Sequence, residues 1–104
     1  MRIIAGPCQH ETLTDSLLIA DLCKKACDKY NVEYIFKASF DKANRSSMQG
    51  KRGVGLNATL DDFATIKNTL GCKTLTDVHT VEQISHITTF YNAVVDVLQI
   101  PAFL

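Results

Sequence analysis

Along this chain the spacing of apolar residues switches repeatedly between the period of a strand and the period of a helix. That switching limits what it can fold into more than any other feature. Arg2–Ala5 is a short apolar run closed by Gly6 and Pro7, and it reads as a buried strand entering a loop. Leu17, Leu18, Leu22, Ala26 and Tyr30, with Ile19 and Cys23 alongside, mark an amphipathic helix. Thr12 or Thr14 is its N-cap and Asn31 its stop. Glu33–Phe40 (EYIFKASF) is rich in aromatic and β-branched residues and reads as a second strand. After a long connection, Leu60, Phe63, Ile66 and Leu70 form a helical stripe. Thr59 is its expected N-cap, Asp61 and Asp62 fall in its first turn, and Gly71 ends it. Cys72–Val78 is the third strand, and Thr80 with Gln83 forms a capping box before a helix carrying Val81, Ile84 and Ile87. Ala93–Ile100 (AVVDVLQI), halted by Pro101, reads as a strand buried on both faces.

The order β-α-β-α-β-α-β implies parallel strands joined by right-handed crossovers, so the fold class is α/β. Periodicity does not separate a barrel from an open doubly wound sheet. In both, binding groups gather at the C-terminal ends of the strands.

Composition narrows the function classes. The 104 residues carry eleven Lys plus Arg against eleven Asp plus Glu, a formal net charge of zero, which argues against a nucleic-acid binder. No window approaches the ~18 apolar residues of a membrane span, so no membrane partner is expected. Met1–Pro7 lacks the pattern of a signal peptide, and a cytoplasmic location is expected. Cys8, Cys23, Cys27 and Cys72 contain no CxxC pair, so neither a zinc ribbon nor a thioredoxin-like motif is indicated. Cys23 and Cys27, four apart, read as helix packing.

The expected strand ends carry Cys8–Glu11, Lys37–Arg52, Asp77 with His79, and Gln99. Between Lys37 and Arg52 stand five basic residues (Lys37, Lys42, Arg45, Lys51, Arg52) and one acid, Asp41. Ser39, Asn44, Ser46 and Ser47 add hydrogen-bonding groups. Such a loop suits anionic ligands, because Arg grips phosphate bidentately and Lys acts as a point charge. The plain alternative is a solvated basic loop. Neither GxGxxG nor GxxxxGK[ST] occurs, which counts against a nucleotide cofactor.

The string KASFDKANRSS at Lys37–Ser47 resembles the signature of the 3-deoxy-D-manno-octulosonate 8-phosphate synthase family. IAGPC at Ile4–Cys8 with Glu11, RGxG at Arg52–Gly55, TDVH at Thr76–His79 and VDVLQIPAFL at Val95–Leu104 agree with it in order and spacing. The resemblance covers essentially the whole chain. It implies a (β/α)8 TIM barrel of which residues 1–104 supply the N-terminal half, the first four strands. The implied reaction is an aldol-type condensation of phosphoenolpyruvate with arabinose 5-phosphate and water, releasing phosphate, in the Kdo branch of lipopolysaccharide biosynthesis. A homotetramer is implied for the full-length enzyme, and the 104-residue chain alone is expected to be inactive.

By the same resemblance Lys37, Ser39 and Lys42 hold phosphoenolpyruvate, with Lys42 between the two substrates as a catalytic group. Asn44, Arg45 and Ser46 bind the aldose phosphate, and Gln99 and Ala102 line the substrate site. Asp77 and His79 stand near the reacting centre, His79 as the candidate for handling the water. Cys8 marks the metal-dependent class, in which its thiolate joins a His, a Glu and an Asp around iron(II), zinc or manganese. Those further ligands come from the second half of the barrel, and His10 and Glu11 do not replace them. The alternative for Cys8 is a small buried hydrophobe. His86 is expected to face solvent.

The chain departs from the family pattern at Gln49–Lys51, at Val54, and at Gln9 and His10, where an apolar pair is usual. Two other functions remain open at this point. One is a non-catalytic anion-binding or interaction module built on the same half-barrel. The other is 3-deoxy-heptulosonate 7-phosphate synthase chemistry with erythrose 4-phosphate, against which KANRSS argues.

Overall fold

The computed structural model describes residues 1–40 and 55–102. Its elements are β1 (Arg2–Ala5), α1 (Leu13–Lys29), β2 (Glu33–Lys37), α2 (Leu56–Leu70), β3 (Lys73–Asp77), α3 (Val81–Phe90) and β4 (Val97–Gln99). The strands form one parallel sheet in the order β1-β2-β3-β4. The expected α/β alternation is therefore present, with each strand beside its sequence neighbour, as in part of a TIM barrel.

Strand alternation divides the sheet into two unlike faces. Ala5, Tyr34, Phe36, Val78 and Leu98 join Ala20, Cys27, Leu60, Phe63, Ile66 and Ile87 in a single apolar core, so all three helices pack on one face. The opposite face carries Ile4, Ile35, Leu75 and Val97, with Arg2, Glu33 and Lys73 at the N-terminal ends of their strands. There Arg2 and Lys73 both pair with Glu33, which offsets one of the two positive charges.

Capping explains where the helices begin and end. Thr12 caps α1 by accepting from the Asp15 N–H, and Asn31, at φ 55°, follows its end in the left-handed region. The Thr80–Gln83 capping box opens α3. Gly71, at φ 72°, closes α2 as expected.

The start of α2 differs from the reading of the sequence. The helix begins at Leu56 with Gly55 as N-cap, and Thr59 lies buried inside it. Asp61 and Asp62 consequently sit beyond the first turn, free to reach across to Tyr91 and His10.

Both outer strands also correct the expectation. β1 and β4 are edges of the described sheet, and neither is buried on both faces. Ala93–Asp96 does not join the strand, because the Val94 and Val95 N–H groups donate to the Tyr91 carbonyl in a turn after α3. Val95 still packs into the core. β2 stops at Lys37 rather than Phe40, although Ala38, Ser39 and Phe40 remain buried.

Candidate active site

Because the strands are parallel, their C-terminal ends lie along one edge of the sheet. Cys8, Lys37, Ser39, Asp77, His79, Gln99 and Ala102 all fall at that edge, and the ladder pairs Asp77 directly with Gln99. Lys42, Asn44, Arg45 and Ser46 lie outside the described residues.

Ser39 links three segments here. Its N–H donates to the Cys8 carbonyl (3.3 Å), and its own carbonyl accepts from the His10 N–H (2.9 Å). Its hydroxyl hydrogen-bonds to the Asp77 carboxylate. Thr76 secures the neighbouring backbone by donating to the Ala38 carbonyl (2.9 Å). The loop after β1, the end of β2 and the end of β3 are thereby fixed to one another.

Asp77 and His79 form a pair, with Nε2 of the ring 3.0 Å from Oδ2. The Gln83 side chain accepts from the His79 backbone N–H (2.7 Å), and the imidazole stacks against Phe40 at 5.5 Å between centroids. With Nε2–H donating to Asp77, Nδ1 is left as an acceptor, and it has no partner among the described residues. Asp77 Oδ1 is likewise buried without a partner among the described residues. Desolvation raises the Asp77 pKa, but hydrogen bonds from Ser39 and His79 outweigh it and hold the carboxyl below its ordinary value.

A native pKa lowered in this way gives stability that is fully present above the unfolded carboxylate range, about 3.9. That stability is lost as pH falls through the lower native value. Asp77→Asn is expected to cost about 1–3 kcal/mol at neutral pH and to flatten the acid limb of stability. Urea titrations across pH check both; an unchanged acid limb would show that the Ser39–Asp77–His79 chain carries no such stabilisation.

Lys37 is half-buried at the end of β2, and among the described residues no carboxylate pairs with its ammonium. Gly6 makes its backbone position possible: a Cβ on Gly6 would stand 1.9 Å from the Lys37 carbonyl oxygen. Gln99 is exposed, and its carbonyl receives the Val78 N–H (3.1 Å). Ala102 is also exposed.

Cys8 is an exposed free thiol beside Ser39. Among the described residues no group of three or more His, Cys, Asp or Glu gathers around it or elsewhere. One thiolate does not make a metal centre, so these residues by themselves do not fit a bound divalent ion.

His10 turns away from this edge and is fully buried. Nδ1 lies 2.7 Å from Ser16 Oγ and Nε2 lies 2.7 Å from Asp62 Oδ2, while Phe63 meets the ring edge-on. The network is complete when Nε2–H donates to Asp62 and Nδ1 accepts from the Ser16 hydroxyl. The sequence signal was that Gln9 and His10 stand where the resembled family usually has an apolar pair; the partners of His10, six and 52 positions away, had no local signature. His86, expected to face solvent, is half-buried, with Nε2 2.6 Å from Asn57 Oδ1 and its ring against Phe90 and Tyr91.

A parallel α/β unit with helices on one face, and with a cation, a fixed carboxylate and an imidazole at its C-terminal strand ends, belongs to the barrel-type class that binds substrates at that mouth. The chain matches the model of the DAHP synthetase I family over residues 1–104 and belongs to that family. It is 47% identical over 102 residues to the 2-dehydro-3-deoxyphosphooctonate aldolase of Agrobacterium fabrum, covering 98% of this chain and 35% of that protein. A protein of the same name from Nitrobacter winogradskyi is 49% identical over 104 residues, 100% of this chain and 35% of the relative. The Brucella ovis protein of that name is 45% identical over 104 residues, again the whole chain but 36% of the relative. The chain thus spans about a third of the length of these relatives.

Proposed function

We propose that this chain carries part of an active site that condenses phosphoenolpyruvate with arabinose 5-phosphate, the reaction its resemblance to the octulosonate-phosphate synthases implies and one in keeping with relatives named 2-dehydro-3-deoxyphosphooctonate aldolase. The observation that supports it most is the convergence of Lys37, Ser39, Asp77, His79 and Gln99 on one edge of the sheet. Each group has a part to play there. Lys37 supplies a fixed cation for an anionic substrate, and the basic residues Lys42, Arg45, Lys51 and Arg52 follow it in sequence. Ser39 and His79 hold Asp77 ionised, while Asp77 fixes the ring so that Nδ1 faces away as a proton acceptor. Such an imidazole can take a proton from the water that adds at C2 of phosphoenolpyruvate after its C3 has attacked the aldehyde; phosphate then leaves by C–O cleavage. Cys8 contributes at most one ligand to a metal.

Joined to the remaining two-thirds of the Agrobacterium relative, the chain is expected to restore turnover, with arabinose 5-phosphate preferred over erythrose 4-phosphate. His79→Asn should lower kcat in that chimera by roughly 100-fold, the contribution of a positioned proton acceptor. The chain alone should bind phosphoenolpyruvate without turnover, and Lys37→Ala should weaken binding by about 10–100-fold. An inert chimera beside an active relative, or a preference for erythrose 4-phosphate, would refute the proposal. Turnover by the chain alone would refute the incomplete site.

A further inference from the structure

β3 ends at Asp77 and α3 begins at Val81, so His79 stands in the bend between a strand and a helix. The nearest bond from the sheet is that of the Val78 N–H to the Gln99 carbonyl (3.1 Å), and the helix begins its own bonding with the Ile84 N–H on the Thr80 carbonyl (3.4 Å). Neither reaches the His79 N–H. A side chain takes it instead, that of Gln83 in the first turn of α3.

In a capping box the side chain at the third helical position returns to the N-cap N–H. Gln83 Oε1 accepts that bond from Thr80 at 3.2 Å, and Thr80 Oγ1 accepts from the Gln83 N–H at 3.2 Å. The same oxygen accepts a second and shorter bond, 2.7 Å, from His79. A carbonyl oxygen has two lone pairs, so one carboxamide serves both donors. Capping alone does not require the second bond, since His79 lies outside the helix.

The surroundings of the ring show what that bond controls. Nε2 meets Asp77 Oδ2 at 3.0 Å, and buried Phe40 lies against the ring face at 5.5 Å between centroids, the planes 30° apart. Asp77 fixes one edge of the imidazole and Phe40 fixes its plane. Both contacts act on the side chain, and the ring makes them together only from a correctly placed backbone. We propose that Gln83 is a positioning residue for His79: its carboxamide oxygen holds the backbone from which the imidazole reaches Asp77 and Phe40 at once, and so sets the direction of Nδ1. The kinetic consequence rests on the reading of His79 as the proton acceptor; the placement does not.

Two substitutions separate positioning from capping. Gln83→Ala removes both bonds made by the carboxamide, whereas Thr80→Ala removes the reciprocal cap bond and leaves Gln83 on His79. Both should lower the urea midpoint of the chain to a similar extent. In the chimera with the Agrobacterium relative, Gln83→Ala should lower kcat about tenfold and change KM for phosphoenolpyruvate by less than about twofold, because the displaced group is a proton acceptor and not a phosphate ligand. Thr80→Ala should leave kcat within about twofold, and Gln83→Glu, which keeps an acceptor oxygen at similar reach, should restore most of the loss. The chain alone gives a reading that needs no turnover. The His79 Hδ2 and Hε1 proton resonances, displaced by the Phe40 ring, should move toward those of a free imidazole side chain in Gln83→Ala but not in Thr80→Ala. An inert chimera would count against the reaction, and these resonances would still decide the placement. An active Gln83→Ala chimera with unchanged kcat, an equal loss in Thr80→Ala, or ring resonances indifferent to Gln83→Ala would each overturn the proposal.

Discussion

Gly6→Ala is expected to destabilise the chain by about 3 kcal/mol or more, the upper range for overpacking against atoms that cannot swing aside. The added Cβ would sit 1.9 Å from the Lys37 carbonyl oxygen and 2.9 Å from its carbon. Both are backbone atoms of a central strand, so relief requires β1 and β2 to part, and the ladder from Arg2–Glu33 to Ala5–Phe36 resists that. Gly71→Ala provides the comparison. Gly71 has φ 72° but open space around its Cβ position, so only the conformational cost applies, about 1 kcal/mol. Urea midpoints of the two variants separate the effects. A Gly6 variant no less stable than the Gly71 variant would mean that the close approach is not what requires glycine there. The same substitution should weaken phosphoenolpyruvate binding, since the displaced carbonyl belongs to Lys37.

His10→Ala is expected to cost about 3–5 kcal/mol. It removes a buried ring, leaves Ser16 Oγ in the interior without its acceptor, and strips Asp62 of its partner. Asp62 keeps partial contact with solvent, which favours the lower end of that range. The triple change His10→Leu, Ser16→Ala and Asp62→Ala should recover most of the loss, because an apolar replacement of the whole network leaves no orphaned group. If the triple variant were as unstable as His10→Ala, cavity and packing terms would account for the loss instead. Hydrogen exchange gives a second reading: the amides of His10 and Ser39, joined across the loop and the end of β2, should lose protection in His10→Ala.

The elements were legible wherever a local rule governs them. The Thr80–Gln83 box, the Gly71 stop and the β-branched run at Ile3–Ile4 depend on residues within a turn or two of each other. The start of α2 was misread because Thr59 and the two aspartates imitate an N-terminal turn, whereas Gly55 opens the helix one turn earlier with no side-chain cap. The last strand was overextended because an apolar run carries no sign of where a turn uses up its backbone groups. The Tyr91 carbonyl takes the N–H groups that Val94 and Val95 would have offered to a ladder.

For the site, the sequence placed Cys8, Lys37, Ser39, Asp77, His79 and Gln99 at strand ends, and the parallel sheet brings those ends to one edge. Pairing was another matter. That Ser39 and His79 both serve Asp77, and that His10 joins Ser16 to Asp62, depends on strand register and on how α1 and α2 lie against each other.

Sequence by itself determined the α/β alternation, the residue types at the strand ends and the family, because hydrophobic period, capping and contiguous motifs are properties of neighbours along the chain. Only the tertiary structure decided which strands are edges, that Gly6 must lack a side chain, and which polar groups find partners. Those depend on distances between residues tens of positions apart, and no local pattern encodes them.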